Sequence, residues 1–153
     1  MSLVSDQLIP WQEKFGRNNL PWQSTKNPYP IWISEIMLQQ TQVKTVLPYY
    51  RKFMMAFPNV KVLAEADEDS VMQLWSGLGY YARARNLHET AKIILKQFNG
   101  EFPSQLMDLL LLPGIGRSSA GAICSFAYNQ KTPILDANVK RVFARFYGIK
   151  DWT

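Results

Sequence analysis

The chain has 153 residues, enough for one domain or for a domain with a small additional lobe. Hydrophobic residues make up 47% of it and its net charge is +5, so we expect a globular protein with an anionic partner if the charges cluster. Cys124 is the only cysteine, which excludes an intrachain disulfide and a cysteine metal cage within this chain. With no apolar run long enough for a membrane span and no recognisable signal peptide, we expect a soluble, cytoplasmic protein.

The spacing of apolar residues predicts helices along the first third of the chain. An amphipathic helix over residues 3–16 is followed by a polar, proline-rich connector. A second helix is predicted from about residue 29 to residue 40. A third begins after Thr41, its predicted cap, and is closed by Pro58.

The same helical period continues to the end of the chain. The remaining predicted helices cover about residues 60–66, 67–77, 80–98, 103–111, 118–128 and 136–147. Asp67 or Asp69 is predicted to cap the second of these, and Asp136 to cap the last, which Gly148 ends. No strand pattern of useful length and no internal repeat is present, so the predicted fold class is all-α.

One carboxylate, Glu35, lies in the middle of a strongly apolar helical segment at residues 32–41. Burying a carboxylate without a partner is costly, so such a residue is paired, faces solvent, or stays protonated because the site uses the proton. From this segment alone, a surface or ion-paired glutamate is the more frequent explanation.

Two glycines, Gly114 and Gly116, lie in a tight turn between two predicted helices. They let the backbone come close to an anion, and the N–H groups at the start of the next helix point outward. An ordinary helical hairpin is the alternative. Apolar residues beside the glycines, Arg117 and the small residues at 120–122 favour a helix-hairpin-helix that binds a DNA phosphate.

Asp136, taken alone, is most simply a helix cap.

Five segments carry distinctive motifs, at residues 20–22, 34–42, 77–87, 112–122 and 134–142. In this order they resemble the adenine DNA glycosylases of the MutY family along nearly the whole chain. The resemblance implies a helix-hairpin-helix DNA glycosylase fold. A six-helix barrel is expected at residues 28–135, with its hairpin at about 103–128. Residues 1–27 and 136–153 are expected to form part of a second helical lobe.

The resemblance implies an enzyme that removes adenine mispaired with guanine or 8-oxoguanine from double-stranded DNA after flipping the base out. Three catalytic roles carry over. Glu35 matches the acid that protonates the adenine ring, Asp136 matches the carboxylate that stabilises the oxocarbenium-like sugar, and Asn138 matches a supporting polar residue. The chemistry agrees, because adenine leaves poorly as an anion and the apolar neighbours of Glu35 would raise its pKa.

Position 118 separates this family from a relative. Endonuclease III resembles the family but has a lysine there that forms a Schiff base and cuts the strand. Ser118 therefore implies a monofunctional glycosylase that leaves an abasic site. The alternatives are a related glycosylase for another mismatch or damaged base, and a non-catalytic helix-hairpin-helix DNA-binding module.

Recognition residues are assigned by the same resemblance. Gln40 and Tyr80 are expected to enter or press on the base stack, and the adenine pocket is expected to be lined by Trp22, Gln23 and Leu38. The expected contacts to the DNA backbone are Gly114, Gly116, Arg117, Ser118 and Lys140. Other basic residues could follow the phosphates, with a solvated helix face as the alternative: these are Arg83, Arg85, Arg141 and Arg145. His88 is expected to be a surface residue.

The resemblance also implies a [4Fe-4S] cluster held by four cysteines, and a C-terminal domain that reads 8-oxoguanine. In the family both follow the stretch that ends here at Thr153, so we expect a truncated chain that binds no metal itself and is monomeric when intact. Trp11 and Phe15 are then expected to be exposed or repacked, since the lobe that would cover them is missing.

Overall fold

The structure is a computed structural model that describes residues 3–150. The described residues form nine α-helices and one 3-10 turn and contain no strand, which confirms the all-α prediction. The helices are α1 Leu3–Phe15, α2 Pro28–Leu38, α3 Val43–Ala56, α4 Val60–Glu65, α5 Glu68–Trp75, α6 Ala82–Gln97, α7 Leu106–Leu110, α8 Arg117–Tyr128 and α9 Ala137–Tyr147, and the 3-10 turn is Pro21–Gln23.

Side-chain caps fix the start of four helices. A side-chain oxygen accepts a hydrogen bond from a backbone N–H in the first turn of α2, α4, α5 and α9, and the capping residues are Asn27, Asn59, Asp67 and Asp136. Such a cap satisfies one of the four N–H groups that a helix start leaves without a partner. The predicted cap at Asp136 is confirmed, and of the two candidates for α5 the structure selects Asp67.

Three predicted helix starts are wrong. Gln42 rather than Thr41 precedes α3, because the Thr41 hydroxyl donates to the Gln39 carbonyl instead of capping the helix. α6 begins at Ala82 because Tyr80 has a φ of 51°, which no right-handed helix allows. α7 begins at Leu106.

The chain divides into two compact units. The central unit consists of residues 25–133, and the terminal unit combines residues 1–24 with residues 134–153. In the central unit, α2 packs against α3, α6 and α8, and α6 packs against α4 and α5. Its core is formed by large, fully buried side chains, among them Trp32, Ile33, Phe53, Leu63, Trp75 and Ile123.

The two helices of the terminal unit, α1 and α9, expose most of their side chains. α9 contains no buried residue, and the side chains of Trp11 and Phe15 on α1 are 55% and 61% exposed. Of the two outcomes expected for these aromatic residues, exposure rather than repacking is observed. The predicted lobe boundaries at residues 27 and 135 stay a prediction.

His88 is buried, with 2% of its surface exposed, so the expected surface position is wrong. The residue lies on the face of α6 that packs against α4 and α5, and its ring hydrogen-bonds to the backbone of Ala66, just after α4. The other ring nitrogen, Nε2, is buried without a hydrogen-bond partner among the described residues. Burial, reinforced by the nearby charge of Lys92, lowers the pKa of His88.

This lowered pKa predicts a pH-dependent stability. Above about pH 6.5 His88 is neutral in the folded and the unfolded chain, so its titration leaves stability unchanged. Between about 6.5 and the folded pKa the unfolded chain binds the proton more tightly, so stability falls as the pH falls. We expect the free energy of unfolding to decrease below about pH 6.5, with a slope from this residue of at most about 1.4 kcal/mol per pH unit. Urea unfolding of the wild type and of His88→Asn at pH 7.5, 6.5 and 5.5 measures it. The same pH dependence in both proteins would contradict the assignment.

Candidate functional site

Glu35 lies at the margin of the core of the central unit. It is half-buried on α2, and its neighbours on both sides, Ser34 and Ile36, are buried. Leu38, one turn further along the same helix, is also half-buried. Since most of the other side chains of α2 are inside the core, Glu35 and Leu38 are among the few through which this helix can meet a ligand.

Arg83, at the start of α6, binds the C-terminal end of α2. Only 8% of the residue is exposed, and its guanidinium donates hydrogen bonds to five oxygens. The acceptors and distances are the carbonyls of Ile36 at 3.1 Å, Met37 at 2.8 Å, Gln39 at 2.5 Å and Gly79 at 3.1 Å, and the Thr41 hydroxyl at 3.1 Å. The idea that Arg83 follows DNA phosphates is therefore wrong, because its donors are used inside the protein.

The surroundings of Arg83 suit a buried cation. The guanidinium carbon lies 5.4 Å from the ring centre of Trp75 and 5.4 Å from that of Tyr80. Burial lowers the pKa of Arg83, but a guanidinium stays charged at neutral pH. Its charge lies at the C-terminal end of α2, where the helix dipole is negative, so the two attract.

Gln40 and Tyr80 both adopt left-handed backbone conformations beside Arg83. Their φ angles are 56° and 51°, and both residues are exposed. Such a conformation costs a non-glycine residue about 1 kcal/mol or more and persists only where the surroundings enforce it. The two residues predicted to enter the base stack are thus brought to turns that share one guanidinium.

The turn between α7 and α8 is attached to α6. The Thr90 hydroxyl donates a 2.8 Å hydrogen bond to the carbonyl of Pro113. Gly114 has a φ of 76°, and a Cβ atom added there would lie 2.9 Å from Cβ of Asn86. Glycine is therefore required at position 114 both by its backbone conformation and by the close approach of α6.

Gln39 connects the same turn to the end of α2. Its side-chain nitrogen donates to the carbonyl of Gly114 at 3.4 Å and to the hydroxyl of Ser119 at 3.3 Å. Its own backbone carbonyl accepts from Arg83. The helix with Glu35, the hairpin and the start of α6 therefore meet around residues 39–41.

Gly116 differs from Gly114. It precedes α8 with a φ of −85°, and an added Cβ would meet nothing within 4 Å. Arg117 is exposed and Ser118 half-buried in the first turn of α8. Backbone N–H groups at an accessible helix start can bind an anion, so this corner can receive a phosphate.

In the terminal unit, Asp136 and Asn138 form local hydrogen bonds at the start of α9. The Asp136 carboxylate is half-buried and accepts from the Val139 N–H at 2.8 Å. The Asn138 side-chain oxygen accepts from the guanidinium of Arg141. Lys140 is exposed.

Trp22 and Gln23 lie in the 3-10 turn of the terminal unit. Trp22 is buried, with 9% of its surface exposed. Gln23 accepts from the Leu20 N–H at 2.9 Å and donates to the Arg17 carbonyl at 2.7 Å, so its amide holds the turn together. A role for either residue in the adenine pocket stays a prediction.

The residues predicted for the site thus belong to two units, with Glu35, Leu38, Gln40, Tyr80 and the hairpin in the central unit. Asp136, Asn138, Lys140, Trp22 and Gln23 belong to the terminal unit. Arg83 and Gln39 carry much of the local geometry and were not recognised as its supports from the sequence. The arginine-rich start of α6 was visible as a motif, but nothing in it shows that Arg83 is buried.

No group of three or more histidine, cysteine or acidic residues that could hold a metal ion occurs within the described part of the chain. Cys124 is buried in α8, with its sulfur 3.8 Å from the Ser104 carbonyl. None of the helices described here has the length and hydrophobicity needed to cross a membrane.

The fold is all-helical, and the end of the helix that carries the half-buried Glu35 is hydrogen-bonded to a glycine-containing hairpin. The chain belongs to the HhH-GPD superfamily of base excision DNA repair proteins, whose family model matches residues 33–153.

Individual relatives are similar to nearly the whole of this chain. The chain is 58% identical to an adenine DNA glycosylase of Buchnera aphidicola subsp. Baizongia pistaciae, over 93% of this chain and 40% of that protein. It is 44% identical to an adenine DNA glycosylase of Mus musculus, over 93% of this chain and 29% of that protein. The chain therefore spans well under half the length of these curated relatives.

Solved structures show the same fold. A thermostable thymine-DNA glycosylase matches with a TM-score of 0.87 and 27% identity, covering 94% of this chain and 66% of that one. An endonuclease III in a non-covalent DNA complex matches with a TM-score of 0.82 and 21% identity, covering 98% of this chain and 71% of that one. These matches confirm the predicted endonuclease III-like fold.

We expect substitution by alanine to have different effects at the two glycines of the hairpin. Gly114→Ala should lower the free energy of unfolding by about 2 kcal/mol, because it strains the backbone and pushes against Asn86. Gly116→Ala should cost less than about 1 kcal/mol, because its Cβ enters open space. Urea unfolding of both variants measures the difference, and equal destabilisation would contradict the hairpin geometry.

Proposed function

We propose that the full-length protein containing this chain is a base excision repair glycosylase. It hydrolyses the N-glycosidic bond of adenine mispaired with guanine or 8-oxoguanine in double-stranded DNA. The observation that carries this proposal is a half-buried carboxylate, Glu35, on an apolar helix whose end is hydrogen-bonded to the helix-hairpin-helix turn. The names of the curated relatives, adenine DNA glycosylases, support the choice of base.

In this proposal Glu35 is the general acid. Adenine is a poor leaving group as an anion, and a proton delivered to a ring nitrogen lets it leave as a neutral base. The side chains before and after Glu35 on α2 are buried, so its carboxyl lies at the margin of the core. Leu38 lies on the same side of the helix and contributes apolar contact to the base. Trp22 and Gln23 are further proposed pocket residues.

Asp136 is the partner of the acid. As adenine leaves, positive charge develops on the deoxyribose, and an ionised carboxylate stabilises the oxocarbenium-like sugar. A helix N-terminus favours a negative charge, and Asp136 lies at the start of α9. Asn138 supports the site as a polar neighbour on the same turn. Water or Asp136 then adds to the sugar, and hydrolysis leaves an abasic site.

DNA is held by the hairpin. Backbone N–H groups around Gly114, Gly116, Arg117 and Ser118 bind a phosphate, and Lys140 adds a further backbone contact. Gln40 and Tyr80 enter or press on the stack beside the extruded adenine. Because Ser118 has no amine, it cannot form a Schiff base with the sugar, so the enzyme leaves the strand uncut.

A glycosylase for another mismatch is the second candidate. The solved thymine-DNA glycosylase shares 27% identity with this chain, so excision of mispaired thymine is the specific alternative. Parallel reactions with duplexes containing adenine opposite 8-oxoguanine and thymine opposite guanine separate the two functions. A protein that bound both duplexes and released neither base would contradict both functions.

We further propose that the full-length protein is monomeric, acts on DNA in the bacterial cytoplasm, and carries a [4Fe-4S] cluster. The residues of this chain do not fit such a cluster, since the sequence has one cysteine and that residue is buried in α8. Its ligands would come from outside this chain. No chemical step above depends on the cluster.

Replacing the proposed acid tests the mechanism. Single-turnover reactions of the full-length protein should release adenine opposite 8-oxoguanine and leave an alkali-labile site. Glu35→Gln keeps the size of the side chain but removes its proton, and should slow release by more than about 10²-fold. Gel analysis after alkali treatment measures the rate.

Glu65→Gln is the matched control. Glu65 is an exposed helical glutamate of the central unit whose only described ion pair, with Lys61 at 4.0 Å, is on the surface. It should react at the wild-type rate, since such pairs contribute little. Cleavage by Glu35→Gln at the rate of this control would rule out Glu35 as the acid.

A further inference from the structure

We propose that Arg83 is a positioning residue that sets the rate of base flipping. It does so by holding the two turns that carry Gln40 and Tyr80. This inference rests on the proposed function, since Gln40 and Tyr80 are taken there to enter the DNA stack. It assigns Arg83 no contact with DNA.

Arg83 forms hydrogen bonds to both turns. On one side of Gln40 the guanidinium binds the Gln39 carbonyl at 2.5 Å, and on the other it binds the Thr41 hydroxyl at 3.1 Å. It also binds the carbonyl of Gly79, the residue before Tyr80, at 3.1 Å. One planar group with several fixed donors therefore connects two segments about forty residues apart in the chain.

Both turns need external support. The φ angles of Gln40 and Tyr80, 56° and 51°, are unfavourable for residues with a Cβ and would relax toward negative values if nothing held them. A change of φ at either residue rotates its side chain relative to the rest of the unit. The guanidinium is thus placed to keep two exposed side chains pointing in a fixed direction.

Stability alone does not explain an arginine at this position. A buried charge carries a desolvation cost, and apolar side chains of similar volume often stabilise a core as well or better. Arg83 also leaves its Nε without a partner among the described residues, so it is not fully satisfied even here. What an apolar replacement could not supply is the set of directional bonds to the turns.

Gln39, next to Gln40 in the turn that Arg83 binds, also contacts the hairpin. Gln39, whose carbonyl binds Arg83, donates from its side chain to Gly114 and Ser119. The position of Gln40 is therefore fixed relative to the proposed phosphate-binding turn. A phosphate bound at the hairpin then places the neighbouring nucleotides at a defined distance from Gln40.

A double-mutant cycle in the full-length protein tests the inference. Arg83→Lys keeps the charge but loses the planar set of donors. In the wild-type background it should slow adenine release about tenfold, as expected for the loss of hydrogen bonds from a charged group. In the background Gln40→Ala/Tyr80→Ala it should slow release less than about twofold, because the side chains that it positions are gone. Equal losses in both backgrounds would overturn the inference.

Two further readouts do not depend on catalysis. With 2-aminopurine at the target position, fluorescence reports base extrusion, and Arg83→Lys should reduce its rate about tenfold while duplex affinity changes less than about threefold. Arg83→Met should leave the dependence of affinity on salt unchanged. A decrease of the salt slope by about one would show a direct phosphate contact and overturn the inference.

Controls separate the possible failures. Arg51→Lys changes an exposed arginine on α3 and should match the wild type in every measurement. If thermal unfolding shows that Arg83→Lys does not fold, Arg83→Gln, which retains amide donors, replaces it in the cycle and in the fluorescence assay. A wild type that releases no adenine would overturn the proposed function and the inference with it. An active wild type with additive losses would overturn the inference alone.

Discussion

The local structure of the site depends on one interaction, the hydrogen bonds from the Arg83 guanidinium to the carbonyls at the C-terminal end of α2. The last carbonyls of a helix have no partner within it, and burying them without one would be costly. Arg83 binds the carbonyls of Ile36 and Met37 in the last turn of α2 and that of Gln39 just after it, and the Ile36 carbonyl also accepts from the Gln39 N–H. The Gln39 side chain, just after the end of α2, reaches the hairpin, while Glu35 stays at the margin of the core.

The two units divide the proposed chemistry between them. The central unit contains the proposed acid, the residues proposed to act on the DNA stack and the hairpin proposed to bind a phosphate. The terminal unit provides Asp136, fixed as a helix cap by its bond to Val139. A carboxylate that caps a helix is held in place by its own backbone, and the helix start favours its negative charge. The exposed aromatic residues of α1, Trp11 and Phe15, belong to this second unit.

The sequence predicted most of the helices and the unusual position of Glu35, because both depend on signals between near neighbours in the chain. Caps such as Asp136 are local, and a carboxylate within an apolar segment is visible directly. Arg83 and His88 were misplaced for the opposite reason. The partners of Arg83 on α2 lie 46 and 47 residues away, and His88 is buried by packing against other helices. The partners of Arg83 leave no periodic pattern in the sequence. His88 does share the helical spacing of the buried Ala84 and Ala91, and its polar ring alone suggested the surface.

The most direct test of the proposed site is a crystal structure of the full-length protein with a duplex that carries a non-hydrolysable adenosine analogue opposite 8-oxoguanine. We predict an extruded adenine with a ring nitrogen within hydrogen-bond distance of the Glu35 carboxyl, and Gln40 or Tyr80 against the stack beside the vacated position. An extruded adenine bound away from Glu35, or an adenine that stays stacked in the bound duplex, would contradict this assignment.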